Sequence, residues 1–232
     1  MITVQEMLPA VLGFLVLGVY HIRLYLLLQR QPETTAIGLA NTMRAQWVVE
    51  MMRAGKPDVL PVQTLRNLTM AASFLASTAI IIGLSVFNAA LSIDTLPILS
   101  RLSTLVSVDT PFLLTIKLFI LSSDFFFCFY NFMLAIRYYN HTALLINVPL
   151  EHYSRGAQHR PGFLIRMPPL PGVAHGINMV ADLLNQGAAH YTLGMRGYYF
   201  VVPLALWLLG GLWFMIGAFL LVMVLHRIDS PG

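Results

Sequence analysis

The chain has 232 residues, of which 57% are hydrophobic and only 10% charged, and its mean hydropathy is +0.73. A soluble domain carries about 25% charged residues, so this composition excludes an ordinary soluble protein and predicts an integral membrane one. The formal charge of +4 does not imply nucleic acid, because the arginines flank apolar runs where snorkelling and anionic lipid account for them; the single cysteine, Cys128, excludes an internal disulfide and a cysteine-based zinc knuckle.

The first apolar run, 8–28, is long enough as a helix to cross the roughly 30 Å hydrocarbon core of a bilayer. No Lys or Arg precedes it, so a retained span is expected rather than a cleaved signal. His21 and Arg23 lie in its later half, and Gln29, Arg30 and Pro32 end it. Thr34 or Thr35 can cap a new helix over 36–54 that places Ile37, Ala40, Met43, Trp47 and Met51 on one face. That helix is too polar to span. It is expected to lie at the interface or against the bundle, with Trp47 as its anchor.

Gly55, Lys56 and Pro57 break the pattern, and Pro61 suits the first turn of a second long helix that passes Arg66 and Asn67 and spans over 67–92. Ala72, Ala76, Ala79, Gly83 and Ala90 recur along it at steps of three, four and seven residues, lining one face with small side chains. Small residues let membrane helices approach closely, so this face is expected to be the packing seam. Two readings stay open for the third span, 112–136: its Phe125, Phe126, Phe127, Phe129, Tyr130 and Phe132 supply the facing bulk, or they face lipid. Lys117 and Asp124 are its only charges. A carboxylate at such a depth costs about 2.5 to 3.5 kcal/mol on insertion scales, so Asp124 should face the bundle and be paired or neutral. Asn88 and Asn131 are the candidate partners.

At Arg137 the apolar run gives way to RYYNH, at the depth where headgroups begin. The proline-rich stretch from Glu151 to Gly172 is expected to be irregular. A helical stretch over 173–191 follows, carrying Ile177, Val180, Ala181, Leu184 and Ala188 on one face, and a fourth span is predicted over 198–225. The basic residues gather in two loops, Arg30, Arg44, Arg53, Lys56 and Arg66 in 30–66, and Arg137, Arg155, Arg160, Arg166 and Arg196 in 137–197. The positive-inside rule then places both loops in the cytosol and both termini on the other face, with a bacterial inner membrane as the expected location. The fold class read from these patterns is an all-α membrane four-helix bundle, one domain over 1–232, with amphipathic helices in the two cytosolic loops.

Four strings carry a resemblance: TTAIGLANTMRAQWV, VQTLRNLTMAASFLAS, IRYYNHTALLINVP and LLNQGAAHYTLGMRGYYF. In order and spacing they resemble the signature blocks of the membrane-protein family catalogued as domain of unknown function 599. The resemblance runs from about the first helix to the fourth and implies the four-span topology. It implies no reaction, cofactor or catalytic residue. Asp124 and the proline-rich 155–172 depart from the pattern.

Polar residues from all four spans are expected at one depth, the cytosolic boundary: His21 and Arg23, Arg66 and Asn67, Arg137, Asn140 and His141, His190 and Arg196. Such a layer could bind an anion or a lipid headgroup. Three imidazoles could hold a metal, but no carboxylate accompanies them and no two histidines share a helix at ligand spacing, so no metal site is expected. Haem is not expected either, since only His21 lies clearly within a span and the cofactor needs two facing ligands. Neither a nucleophile elbow nor a phosphate-binding loop is present, and no catalytic residue is assigned. The function expected is that of a structural or accessory subunit, packed against other membrane proteins or a second copy of itself. The alternative is a small membrane enzyme, lipid-binding or anion-binding protein or transporter that uses the polar layer.

Overall fold

The computed structural model describes residues 4–54, 59–92, 111–153 and 175–230. They form six α-helices: α1 Val4–Arg30, α2 Ala36–Arg53, α3 Val59–Leu91, α4 Pro111–Leu145, α5 His175–Trp207 and α6 Gly211–Asp229. Four of them, α1, α3, α4 and α6, are long and apolar enough to cross a membrane, so the chain is an integral membrane protein with an all-α fold. Two predicted loops, 93–110 and the proline-rich 155–172, and also Lys56, fall outside the described residues.

The seam between α3 and α4 forms as the small-residue spacing requires. Ala72, Ala76, Ala79, Gly83 and Ala90 are all buried. A Cβ on Gly83 would stand 3.0 Å from the Cβ of Phe125 and 3.4 Å from the ring of Phe126, so the two backbones approach as closely as glycine allows. Phe87 meets Phe119 edge to face at 5.5 Å higher on the same seam. Phe127 and Tyr130, also candidates for this groove, point outward instead. Phe127 sits about 100° or more around α4 from Phe126 and Phe125, whereas Tyr130 lies one turn from Phe126, at the exposed edge of the groove.

Helix α5 runs through the middle. Its Gly187 abuts Tyr139, Gly194 abuts Phe132 and Gly197 abuts Cys128 of α4, while Trp207 lies under the ammonium of Lys117. Numbers rise on one helix as they fall on the other, so α4 and α5 are antiparallel neighbours over most of their length. Gly217 of α6 packs on Pro203 and Leu206, and Phe214 on Trp207. Phe14 of α1 meets Trp207, and His21 meets Phe200. Both α1 and α6 are thus antiparallel to α5 and parallel to each other.

Three sequence expectations change here. The run 198–225 is not one helix. It divides at Leu208–Gly210, where successive i→i−3 bonds tighten the end of α5 and Gly210 adopts φ 137°, a backbone region closed to side chains. The stretch predicted to end near Tyr191 continues to Trp207, with Ile177, Val180, Ala181, Leu184 and Ala188 buried as read. Because α5 runs back along the bundle before α6, the early end of α1 and the late end of α6 lie toward opposite ends of the bundle. The third helix likewise does not stop at Arg137 but carries RYYNH onward to Leu145.

At the end of the bundle that gathers Arg30, Arg53, Arg66 and Arg137, α2 folds back on α5. Thr35 caps it, its hydroxyl oxygen accepting from the Gly38 N–H at 3.1 Å. Its buried face is Gly38, Asn41, Ala45, Val48, Val49 and Met52, rotated from the apolar stripe of Ile37, Met43 and Trp47. The cause is polar: Asn41 and Arg44 bond to α5 and turn that side inward. Val48, Leu65, Tyr139, Ile177 and Leu184 then close a core at the basic end, distinct from the one that Ala76, Phe125, Phe132, Leu204 and Phe214 build at the other.

Candidate functional site

The most polar point of the interior is an ion pair between Arg196 of α5 and Asp229 of α6, each only 7% exposed. One guanidinium nitrogen, Nη2, donates to both carboxylate oxygens at 2.6 Å. The Tyr20 hydroxyl of α1 donates to the same carboxylate. His21 closes the group. Its Nδ1 donates to the Leu17 carbonyl at 2.8 Å, which leaves Nε2 to accept from Arg196 Nη1 at 3.4 Å. Two sequence-predicted residues, His21 and Arg196, do come together, and the cation is neutralised from within the chain. Asp229 is the only Asp or Glu after Asp182, and sequence reasoning missed it because it stands at the polar end of an apolar run.

Other polar residues of α5 each reach a different helix. Asn185 accepts from Arg44 Nε at 3.1 Å and donates to the Asn41 carbonyl at 3.2 Å, both on α2. Arg44 also donates to the Asn41 side chain, and burial pulls its guanidinium down from its ordinary value. It remains a cation, so amide oxygens here take the part a carboxylate plays at Arg196. His190 Nδ1 lies 3.0 Å from Asn131 Oδ1 of α4, with its ring stacked on Tyr138 at 5.5 Å. The Tyr198 hydroxyl donates to the Leu75 carbonyl of α3 at 2.7 Å. With Arg196 meeting α1 and α6, α5 is tied by hydrogen bonds to all five of the other helices.

The expected polar layer does not converge. Arg66, Asn67, Arg137, Asn140 and His141 are exposed on α3 and α4. Arg23 is exposed on α1, where with Arg30 it borders an open strip of Val19, Ile22, Leu26 and Leu27. His21, His141 and His190 are separated, the first held at Arg196, the second exposed and the third at Asn131. Among the described residues no three His, Cys, Asp or Glu side chains form a group that could hold a metal ion. Depth follows from sequence position, but convergence also needs the angle around each helix, and those angles point apart.

Asp124 lacks the partners proposed for it. Asn131 donates to the Phe127 carbonyl at 2.9 Å and meets His190, and Asn88 is exposed at the far end of α3. The Oδ2 atom of Asp124 is buried with no hydrogen-bond partner.

Comparison with known proteins gives one match. No curated protein and no solved structure matches the chain. A family model, described as protein of unknown function, DUF599, matches residues 8–231, nearly the whole chain. With the four apolar helices and the resemblance already carried by its four strings, the chain belongs to that family.

Proposed function

We propose that this protein is a structural subunit of a larger membrane assembly, without catalysis of its own. The supporting observation is the set of bonds along α5. Asn185, His190, Arg196 and Tyr198 each hold a neighbouring helix, so the strongest polar groups of the interior keep the bundle in register. A bundle braced in this way presents fixed outer faces of α1, α3, α4 and α6, as a subunit docking within the bilayer requires.

The basic end, with Arg30, Arg53, Arg66, Arg137 and Arg227, faces the cytosol on this reading. The start of α1 and the turn at Gly210 then lie on the other side. Helix α5 makes a fifth pass, screened from lipid by its neighbours.

Extraction of native membranes in a mild detergent, followed by native mass spectrometry, tests the assignment. The expected result is a discrete assembly in which this chain and a second polypeptide, or further copies of itself, occur at fixed stoichiometry. A chain that leaves the membrane alone, at its own mass, overturns it.

A further inference from the structure

Asp124 stands on α4 one turn before Cys128, and both side chains face the same glycine of α5. A Cβ on Gly197 would lie 2.3 Å from the Cys128 sulfur and 3.4 Å from Asp124 Oδ1. The absent side chain leaves room for the thiol, and the carboxyl lies beside it at ordinary contact distance. Among the described residues its surroundings offer no counter-charge. Arg196, the neighbour of Gly197, is held by Asp229, and the Tyr198 hydroxyl is turned to the Leu75 carbonyl. Lys117, two turns away on α4, lies over the Trp207 ring at 5.6 Å. Between Asn67 and Leu91, α3 carries no titratable residue. Among the described residues Cys128 is the remaining titratable group at this level, and it is fully buried.

An ionised Asp124 would therefore be an uncompensated charge in the middle of a span, which is among the most unfavourable states a membrane interior can hold. Protonation removes the charge and leaves only a polar O–H to satisfy. A metal or alkali cation would need several oxygen ligands, and glycine, cysteine and phenylalanine do not supply them. Ser123 and Phe127 on either side are exposed on the outer face of α4, so the half-buried carboxyl lies at the edge of the lipid-facing surface. We propose that Asp124 is a proton-binding site at mid-depth, neutral in the resting protein and approached from the lipid phase. This goes beyond the structural role above and does not depend on it.

The probe is dicyclohexylcarbodiimide, an apolar reagent that adds to protonated carboxyls. The carboxyl proton passes to one reagent nitrogen while the carboxyl oxygen bonds to the central carbon. Migration of the acyl group to nitrogen then gives a stable N-acylurea with nothing released. In wild-type protein in lipid at neutral pH, peptide mass spectrometry should map the adduct to Asp124, and its yield should fall as pH is raised. Asp124→Asn should lose the adduct and keep the wild-type melting temperature, because an amide replaces a neutral acid with little change in charge or shape. An unmodified Asp124 at neutral pH, or a melting temperature lowered by Asp124→Asn in a folded protein, overturns the proposal. Should Asp124→Asn not fold, Asp124→Glu replaces it: an adduct on Glu supports the site and an unreactive Glu overturns it.

Discussion

Arg196 shows how sharply a buried ion pair differs from its two halves. Removing one partner strands a charge, which costs about 3–5 kcal/mol, whereas replacing both with apolar groups of similar volume is close to neutral or stabilising. Asp229→Ala should therefore destabilise the protein by roughly 3–5 kcal/mol, and Arg196→Met with Asp229→Leu should restore most of that loss. Tyr20→Phe removes one hydrogen bond to a carboxylate that keeps its arginine, and should cost only about 0.6 kcal/mol, the average for such bonds in membranes. Denaturant unfolding of the three variants in one detergent checks the order. A double variant as unstable as Asp229→Ala would mean that the cation and the carboxylate act independently.

Among the elements, α5 is fitted to α4 by its glycines. In a helix alanine is normally favoured over glycine by up to about 1 kcal/mol. At Gly18 of α1 an added Cβ meets nothing within 4 Å, so Gly18→Ala should be neutral or stabilising. At Gly194 it would stand 2.8 Å from the ring of Phe132, which is fully buried and has nowhere to swing. Gly194→Ala should cost about 1–3 kcal/mol through overpacking. Melting temperatures of the two variants give the comparison, and equal values would remove the close contact.

This contrast also explains what could be read in advance. The α3 seam was legible because small residues at helical spacing state both the face and its use. The same device on α5 was hidden, since Gly187, Gly194, Gly197, Arg196 and Pro203 lower the hydropathy of a helix that packs mostly against other helices. The turn at Leu208–Gly210 was read through because both of its flanks are apolar. At the site, His21 and Arg196 were named from their depth, while Asp229 looked like the polar end of a span. Its pairing depends on the reversal at Gly210, which brings α6 back along α5.

At the scale of the whole molecule, the fifth pass proposed for α5 would put the two ends of the described chain on opposite sides of the membrane. Single cysteines introduced in a Cys128→Ala background, probed with a membrane-impermeant maleimide, distinguish this from four. Arg53→Cys and Ser230→Cys should label from the cytosolic side only, and Gln5→Cys and Leu209→Cys from the opposite side only. Labelling of Ser230→Cys from the same side as Gln5→Cys would restore an even number. The division at Gly210 has a consequence for biosynthesis as well. Arg196 precedes Asp229 by 33 residues, so it is synthesised before its counter-ion. An unpaired arginine raises the cost of inserting any helix that carries it, so α5 would insert less readily alone than with α6. The sharp reversal brings α6 back along α5 with the carboxylate, so insertion of the two helices as a hairpin would let the charges meet on entry.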